Sequence, residues 1–592
     1  MDTLSAMKNS PTRARVACLS RTAAVYPSGW AGGVIWALAL RARAKLSRFC
    51  TSAHGLLGGS RTRGFSSRLH VPFLSQIDRL ILALAFSLAA SGCAEDCAPD
   101  FPATSGSAVY VSAKCGSAAG KGTQQEPYAT PTQAAAAAKS GDTIVLGAGT
   151  YTAGISIVGG VNLLGGGSGK AIIAPSGSGG ITIVGIGTTT IRGVSVTGAS
   201  GYGISAQDTT LNLAEIAITK TKALTDGTGG HGVQAQGGAA LSVEKGTIAD
   251  NAGTGVLTVG VGTVSIVDPA FAPNASNADS TSIVDPAFSP QSIIANNDGG
   301  GVAIVDPAFS PGQNDAPKMP VQISATDIRG NKGFGLAVFG GGATVTRCAI
   351  RDTKKATAAD FADGIVLASS DKQKQGALSV DVGSAVTGNG RAGLIAAAAL
   401  AKVVIHGEVS GNESGGVWVQ GAGAVVQLTD KARLRKNGLL GAAATKGGRL
   451  ELNGTRVEDT QPRKFAEPAG GMPEDVGDGI GAFNGASLLI KNARFSNNAR
   501  AGVVASQPKV GGAFGIDVDI SGSEFKGGQF GIVVNKGLAK SPSWAQLKGT
   551  NKFDAVKQDV DQAGNLMVRA SVCSDQKQDA EACAPKQGAP AK

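Results

Sequence analysis

The side chains of this chain best suited to chemistry are charged groups gathered in three loops, one histidine, and a set of repeated aspartates. The loops occupy positions 222–230, 354–362 and 461–477, and they close on His231, Asp363 and Asp478, each followed by glycine. The third is the most heavily charged, with Arg463, Lys464, Glu467, Glu474 and Asp475. Such groups can bind the hydroxyls and charges of a saccharide or hold a cation, and they can cleave a glycosidic bond if two carboxyl groups face it. The aspartates belong to a literal repeat, Ile-Val-Asp-Pro-Ala-Phe, at 266–271, 283–288 and 304–309. Asp268, Asp285 and Asp306 are thus 17 and 21 residues apart. If that spacing is one turn of a coil, the three stack about 5 Å apart, raise one another's pKa or recruit Ca²⁺ through oxygen ligands. The plainer reading is a duplicated turn, with Asp bonding the backbone beside Pro and Phe packing the loop down.

A repeat must position these residues. Asn, three variable residues and Gly recur at 251/255, 297/301, 331/335, 389/393, 412/416, 437/441 and 498/502, each followed by an alternating apolar run. Rungs that keep the glycine without the asparagine extend the series from Gly203 to Gly531. The shortest glycine-to-glycine steps are 23 residues, which defines the unit, and the 46-residue step from Gly255 to Gly301 reads as two units. Alternating Val, Ile and Leu in short runs, as at 240–243, 424–428 and 487–490, is a strand signal. So small a unit cannot bury its own apolar face, so the units must stack into an all-β parallel solenoid of about 13 or 14 coils. Asn251, Asn297, Asn331, Asn389, Asn412, Asn437 and Asn498 are predicted to form an internal ladder. Asn tolerates a left-handed corner, and stacked amides can bond one another along the axis. Counting glycines places the loops four rungs apart, roughly 19 Å, so one reacting centre cannot draw on all three.

Residues 109–151 carry Val-Tyr-Val-Ser-Ala-Lys-Cys-Gly, then Gln-Glu-Pro-Tyr-Ala-Thr-Pro-Thr, an alanine-rich stretch, and Ser-Gly-Asp-Thr-Ile-Val-Leu-Gly-Ala-Gly-Thr-Tyr. This module resembles the leading segment of secreted right-handed β-helix proteins of the pectate-lyase-like superfamily. Together with the rungs, the resemblance covers roughly three quarters of the chain. It implies a right-handed single-stranded parallel β-helix with a short N-terminal capping helix, residues 133–138 here, because a solenoid end exposes unpaired strand edges. Gly230-His231-Gly232 is similar to the Gly-His-Gly of polygalacturonases, but their paired aspartates, Asn-Thr-Asp and Arg-Ile-Lys do not occur in this sequence. Nor does the Asp-Pro-His-Asp of alginate epimerases. The residue before the rung glycine varies freely (Tyr202, Thr254, Phe334, Ala392), so His231 also fits a tolerant corner. Pectate lyases build their sites from loops of this kind, with acidic residues on calcium and an arginine taking the proton. The resemblance therefore makes His231, Asp363, Arg463, Glu474, Asp475 and Asp478 polysaccharide-binding candidates, and it assigns no catalytic residue.

Charge and targeting narrow the partners. Residues 1–92 hold 12 Lys and Arg against 2 Asp and Glu, leaving 42 basic and 41 acidic residues beyond them. Of the formal charge of +11, +10 therefore sits in residues 1–92, and the rest lacks the basic excess of a nucleic-acid binder. Arg79 precedes an apolar run of 11 residues, 80–90, and then Ser91, Gly92 and Cys93, which reads as a signal peptide. Small-small-Cys resembles a bacterial lipobox, with Ala90 where Leu is usual, and this makes Cys93 the lipidated residue. Plain secretion is the other reading. In an oxidising compartment Cys97 with Cys115 and Cys573 with Cys583 would staple the two ends, and Cys348 is left as a buried thiol.

The expected organisation is a leader (1–77), a signal peptide (78–92), a linker after the lipid anchor (93–107), an N-terminal cap (108–160), the β-helix (161–554) and a C-terminal cap with disordered tail (555–592). Two functions are compatible with it. One is a non-catalytic bacterial surface or outer-membrane protein, lipid-anchored or secreted, that binds polysaccharide or a surface protein and touches membrane only through its lipid. The other is a carbohydrate-active enzyme, a lyase or hydrolase acting on acidic polysaccharide. A fold alone does not choose between them.

Overall fold

The computed structural model describes residues 100–177, 179–238, 240–267, 292–305, 321–357, 361–368, 376–397, 401–465, 474–506, 516–534 and 544–554. Its strands form three long parallel sheets in which each strand pairs with its counterpart one coil away. One coil shows the path. The strand His231–Gln236 lies in the first sheet, Ala240–Glu244 in the second and Thr247–Ala249 in the third. The chain then turns at Asn251 and re-enters the first sheet at Val256–Val259, with Val256 opposite Val233. This is a right-handed parallel β-helix. Alternation places Leu241 and Val243 inside and Ser242 toward solvent, and stacking brings like residues into columns. Val233, Val256, Val302, Leu336, Ile365 and Leu394 form one such column, each fully buried. Near the C-terminal end the third sheet carries a stack of Phe495, Phe525 and Phe553, with ring centroids 4.7 and 5.0 Å apart.

The 46-residue step is one coil, not two: Val256–Val259 pairs directly with Val302–Val305. The extra length, residues 268–291, leaves after the second-sheet strand Thr263–Val267 and returns at the third-sheet strand Ser292–Ala295. Val267 ends a strand of the second sheet, whereas Val305 ends one of the first. Copies of the hexapeptide are therefore delivered at different corners, and spacing close to one coil no longer argues for a column of Asp268, Asp285 and Asp306. Those aspartates lie outside the described residues.

Helix α1 (Pro131–Ala137) covers the first coils. It opens with a capping box in which the Gln133 N–H donates to the Thr130 hydroxyl and the Gln133 side chain accepts from the Thr130 N–H. Ala134 is fully buried in the core. A second helix, α2 (Trp544–Thr550), follows the last first-sheet strand, Phe530–Val534, packs against the last second-sheet strand, Asp517–Ser521, and buries Leu547. Sequence reading had taken this stretch as more β-helix, because seven residues are too few for helical periodicity to show.

The ladder asparagines are all buried, none more than 3 % exposed. Asn251 donates to Asn297 at 2.8 Å and Asn297 to Asn331 at 2.9 Å; above them Asn389 donates to Asn412 at 2.8 Å and Asn412 to Asn437 at 2.9 Å. Thr221, Thr353 and Thr460 fill rungs that lack asparagine, and their N–H groups donate to Asn251, Asn389 and Asn498 at 3.0, 3.2 and 3.3 Å. The left-handed residue at this corner is the one before the asparagine: Asp250, Asn296, Gly330, Gly388, Gly411, Lys436 and Asn497 have φ between 53° and 64°. Asparagine is used here for its amide, and its neighbour makes the bend. The rung glycine belongs to the same device. A Cβ on Gly393 would stand 2.7 Å from Asn412 Nδ2 and 2.7 Å from the Gly416 carbonyl oxygen of the next coil, so no larger residue fits there without displacing the ladder.

Candidate functional site

The three charged loops leave the rungs of Thr221, Thr353 and Thr460 and enter the first sheet at His231, Asp363 and Asp478. These three residues share one position, immediately before the rung glycine, where they face Tyr202, Phe334 and Leu440 of the coil below. They also share a bond. The N–H of Thr254 donates to His231 Nδ1 at 3.1 Å, and that of Ala392 donates to Asp363 Oδ1 at 3.2 Å. Asp478 is held likewise by the Ala501 N–H.

Both aspartates are closed off by arginines from the next coil. Arg391 Nε donates to Asp363 Oδ1 at 2.7 Å and Arg500 Nε to Asp478 Oδ1 at 2.8 Å, and the second oxygen of each carboxyl accepts from the same guanidinium. Arg391 also lies over the Phe361 ring, 4.1 Å from its centroid. Burial pushes both carboxyl groups above the usual aspartate value, and the neighbouring guanidinium pulls each back down. A planar two-point clamp of this kind fixes the base of a loop. Asp363 and Asp478 are 1 % and 0 % exposed, so neither faces a ligand. Both were polysaccharide-binding candidates by sequence, and the structure makes them anchors instead.

His231 is an anchor of the same kind. Its Nδ1 accepts a backbone proton, which places the ring proton on Nε2, and burial lowers its pKa below the usual 6.5. The fold therefore holds the neutral ring. Its stabilising contribution is complete above about pH 6.5 and is lost as the pH falls through the lowered folded value. NMR titration of the imidazole should give a midpoint below 6.5 in the native chain; a midpoint above 6.5 would contradict the burial.

The third loop supplies the cleft. Arg463–Phe465 pairs antiparallel with the start of the long strand Glu474–Phe483, with Lys464 opposite Asp475, and so builds a hairpin beside the solenoid. Arg463, Lys464 and Asp475 are exposed, and together with Pro462, Glu413, Ser414 and Leu439 they line a cleft of about 480 Å³. Glu474 pairs with Phe465 through the backbone; its side chain lies outside the described residues. The cleft floor consists of short turns on the coils below the hairpin. Gly438 admits the Glu413 carbonyl oxygen and the Arg463 stem, each of which a Cβ would overlap or crowd. Two coils below Glu413, the second loop sends Lys355 toward it, with Nζ 4.0 Å from Glu413 Oε2.

Leu439 is the strained element of this floor. Its φ is +55°, where the coil of Lys332 uses Gly333 at +81° for the same tight approach to the first sheet. A leucine there costs about 1–2 kcal/mol. Sequence reasoning missed Leu439, Glu413 and Ser414 because they occupy ordinary short turns; only stacking beneath the hairpin makes them one surface.

Several expectations fall elsewhere. Cys348 is buried, as expected of a leftover thiol, and burial pushes it up to about 12. Cys115 is half-buried, while Cys93, Cys97, Cys573, Cys583 and the whole leader lie outside the described residues. Among the described residues no three His, Cys, Asp or Glu side chains gather as metal donors, and no helix is long and apolar enough to cross a membrane.

Residues 179–373 match the family described as right handed beta helix region. No curated protein matches the chain. Among solved structures, it is similar to the AlgE4 A-module of Azotobacter vinelandii mannuronan C-5 epimerase, at 13 % identity and TM-score 0.29 over 73 % of this chain and 91 % of that one. The catalytic unit of a GH87 α-1,3-glucanase from Streptomyces thermodiastaticus strain HF3-3 aligns at 16 % identity and TM-score 0.35, over 78 % of this chain and 70 % of that one. The GH136 lacto-N-biosidase of Eubacterium ramulus aligns at 9 % and 0.27, over 82 % and 71 %.

Proposed function

We propose that this chain is a secreted or lipid-anchored bacterial surface β-helix that binds an extended saccharide polymer in the hairpin cleft without breaking it. The observation that carries this reading is Leu439: an apolar side chain kept at φ +55° in the floor of an open cleft whose other groups are Glu413, Ser414, Arg463, Lys464 and Asp475. Backbone strain retained where glycine would be easier serves the surface it creates. An apolar patch ringed by hydrogen-bonding groups suits the alternating apolar and hydroxyl faces of a sugar chain, and a solenoid flank offers it length. Asp363 and Asp478 support a binding role over a cleaving one, because both are taken up as loop anchors.

One observation favours the enzyme reading. Glu413 and Asp475 line the same cleft from different coils, and two carboxyl groups across a cleft are what glycoside hydrolysis requires. A single experiment separates the two. The full chain and its Leu439→Gly and Asp475→Asn variants are incubated with a panel of acidic and neutral polysaccharides, with and without chelator, while retention and new reducing or unsaturated ends are followed. The binding reading expects retention without product. It also expects Leu439→Gly to weaken retention about tenfold while stability stays within about 1 kcal/mol, because relief of strain offsets the entropy glycine adds to the unfolded chain. Product that disappears in Asp475→Asn would establish the enzyme instead.

A further inference from the structure

Successive third-sheet strands near the C-terminal end begin with arginine: Arg433, Arg456 and Arg494 stand directly opposite one another in adjacent coils. Like charges in direct register across neighbouring strands repel. Elsewhere this protein neutralises such groups. Arg329 and Arg351 share the buried carboxylate of Asp327, Arg192 pairs with Glu215 at 2.9 Å, and Arg433 itself reaches Glu458 at 3.3 Å. Arg456 and Arg494 are exposed and have no ion-pair partner among the described residues. The carboxylate next in register, Glu524, pairs with Lys552 at 3.4 Å. Lys491, exposed at the end of the preceding second-sheet strand, adds a further cation at the same corner.

We infer that Arg456, Lys491 and Arg494 form a binding stripe for an anionic polysaccharide whose carboxylate or sulfate groups recur along its length. The stripe advances one arginine per coil, about 4.8 Å, comparable to the advance of one pyranose in an extended chain. A polymer lying along the solenoid axis therefore meets an exposed guanidinium at each of two successive coils, Arg456 and Arg494. Arginine suits the role, since its planar donors match carboxylate and sulfate at two points. A nucleic acid is the poorer occupant: the chain beyond the leader carries 42 basic and 41 acidic residues, and Glu458, on the strand of Arg456, and Glu524, one coil beyond Arg494, interrupt the field. The stripe lies at the start of the third-sheet strands and the hairpin cleft beyond their ends, so the inference does not depend on the cleft.

Binding of the full chain to polygalacturonate, neutral dextran and single-stranded DNA, measured at low and at 0.5 M salt (about a 4 Å screening length), tests this. The expected result is salt-sensitive binding of polygalacturonate, none of dextran, and about a tenfold loss in Arg456→Glu with Arg494→Glu. Arg463→Ala with Asp475→Ala, in the cleft, should leave that salt-sensitive binding in place. Unchanged polygalacturonate binding in the stripe variant would overturn the inference, as would DNA binding tighter than polygalacturonate. Arg456→Lys with Arg494→Lys, which keeps the charge, guards against a folding defect: it should retain most of the affinity, and a loss equal to that of the glutamate pair would count against the stripe.

Discussion

Asp478→Ala is expected to destabilise the C-terminal coils by about 3 kcal/mol, because it removes the two-point carboxylate contact of a largely buried guanidinium. Arg500 is 17 % exposed and makes its two-point contact with a carboxyl group that is itself 0 % exposed. The Ala501 N–H loses its acceptor in the same substitution. Asp478 lies directly after Gly477, where the strand that completes the hairpin enters the first sheet, so the cleft wall should loosen as well. Denaturation followed by circular dichroism should show an earlier loss of β signal. Replacing both partners by apolar residues of similar size, Asp478→Leu with Arg500→Met, should recover most of the loss, because a buried pair contributes little net stability even though breaking it is costly. An alanine variant that unfolds at the parent's denaturant concentration would show that the clamp is not holding the coil.

The second large effect is expected in the ladder. Asn412 accepts from the Asn389 N–H at 3.1 Å and from its side-chain amide at 2.8 Å, and donates to Asn437 at 2.9 Å and to the Val386 carbonyl at 3.2 Å. Asn412→Ala leaves the Asn389 N–H and the Asn389 side-chain amide without the oxygen they both donate to inside the solenoid. At about 1–3 kcal/mol for each buried orphan the loss should be about 4 kcal/mol. Asn412→Thr should lose about half as much, as Thr460 shows: its hydroxyl bonds Asn498 at 2.7 Å and its N–H keeps the line unbroken. Because coils contact only their neighbours, hydrogen exchange should quicken around the Asn389, Asn412 and Asn437 rungs and stay slow near α1. Acceleration spread evenly over all coils would refute a local ladder.

The parts of the candidate site differed in how plainly they could be read. The loops, their four-rung separation and the charged third loop were visible because insertions break a 23-residue period. The 46-residue step was misread because one coil plus a long insertion and two coils have the same length. His231, Asp363 and Asp478 drew notice as polar residues beside rung glycines, yet their side chains meet the N–H groups and arginines of the following coil. Those partners are 22 to 29 residues away in sequence, and nothing in a single sequence pairs them.

The amino-acid sequence alone determined the strands, the coil repeat and the buried asparagine line, because alternation, glycine and asparagine act within one unit and the units must stack to bury their faces. Only the tertiary structure decided which residues face outward together. It turned three loop-end candidates into anchors, brought Glu413, Ser414 and Leu439 beneath the hairpin, and aligned Arg456 with Arg494. Stacking adds contacts between residues a whole coil apart, and the register of those contacts depends on the length of every insertion in between.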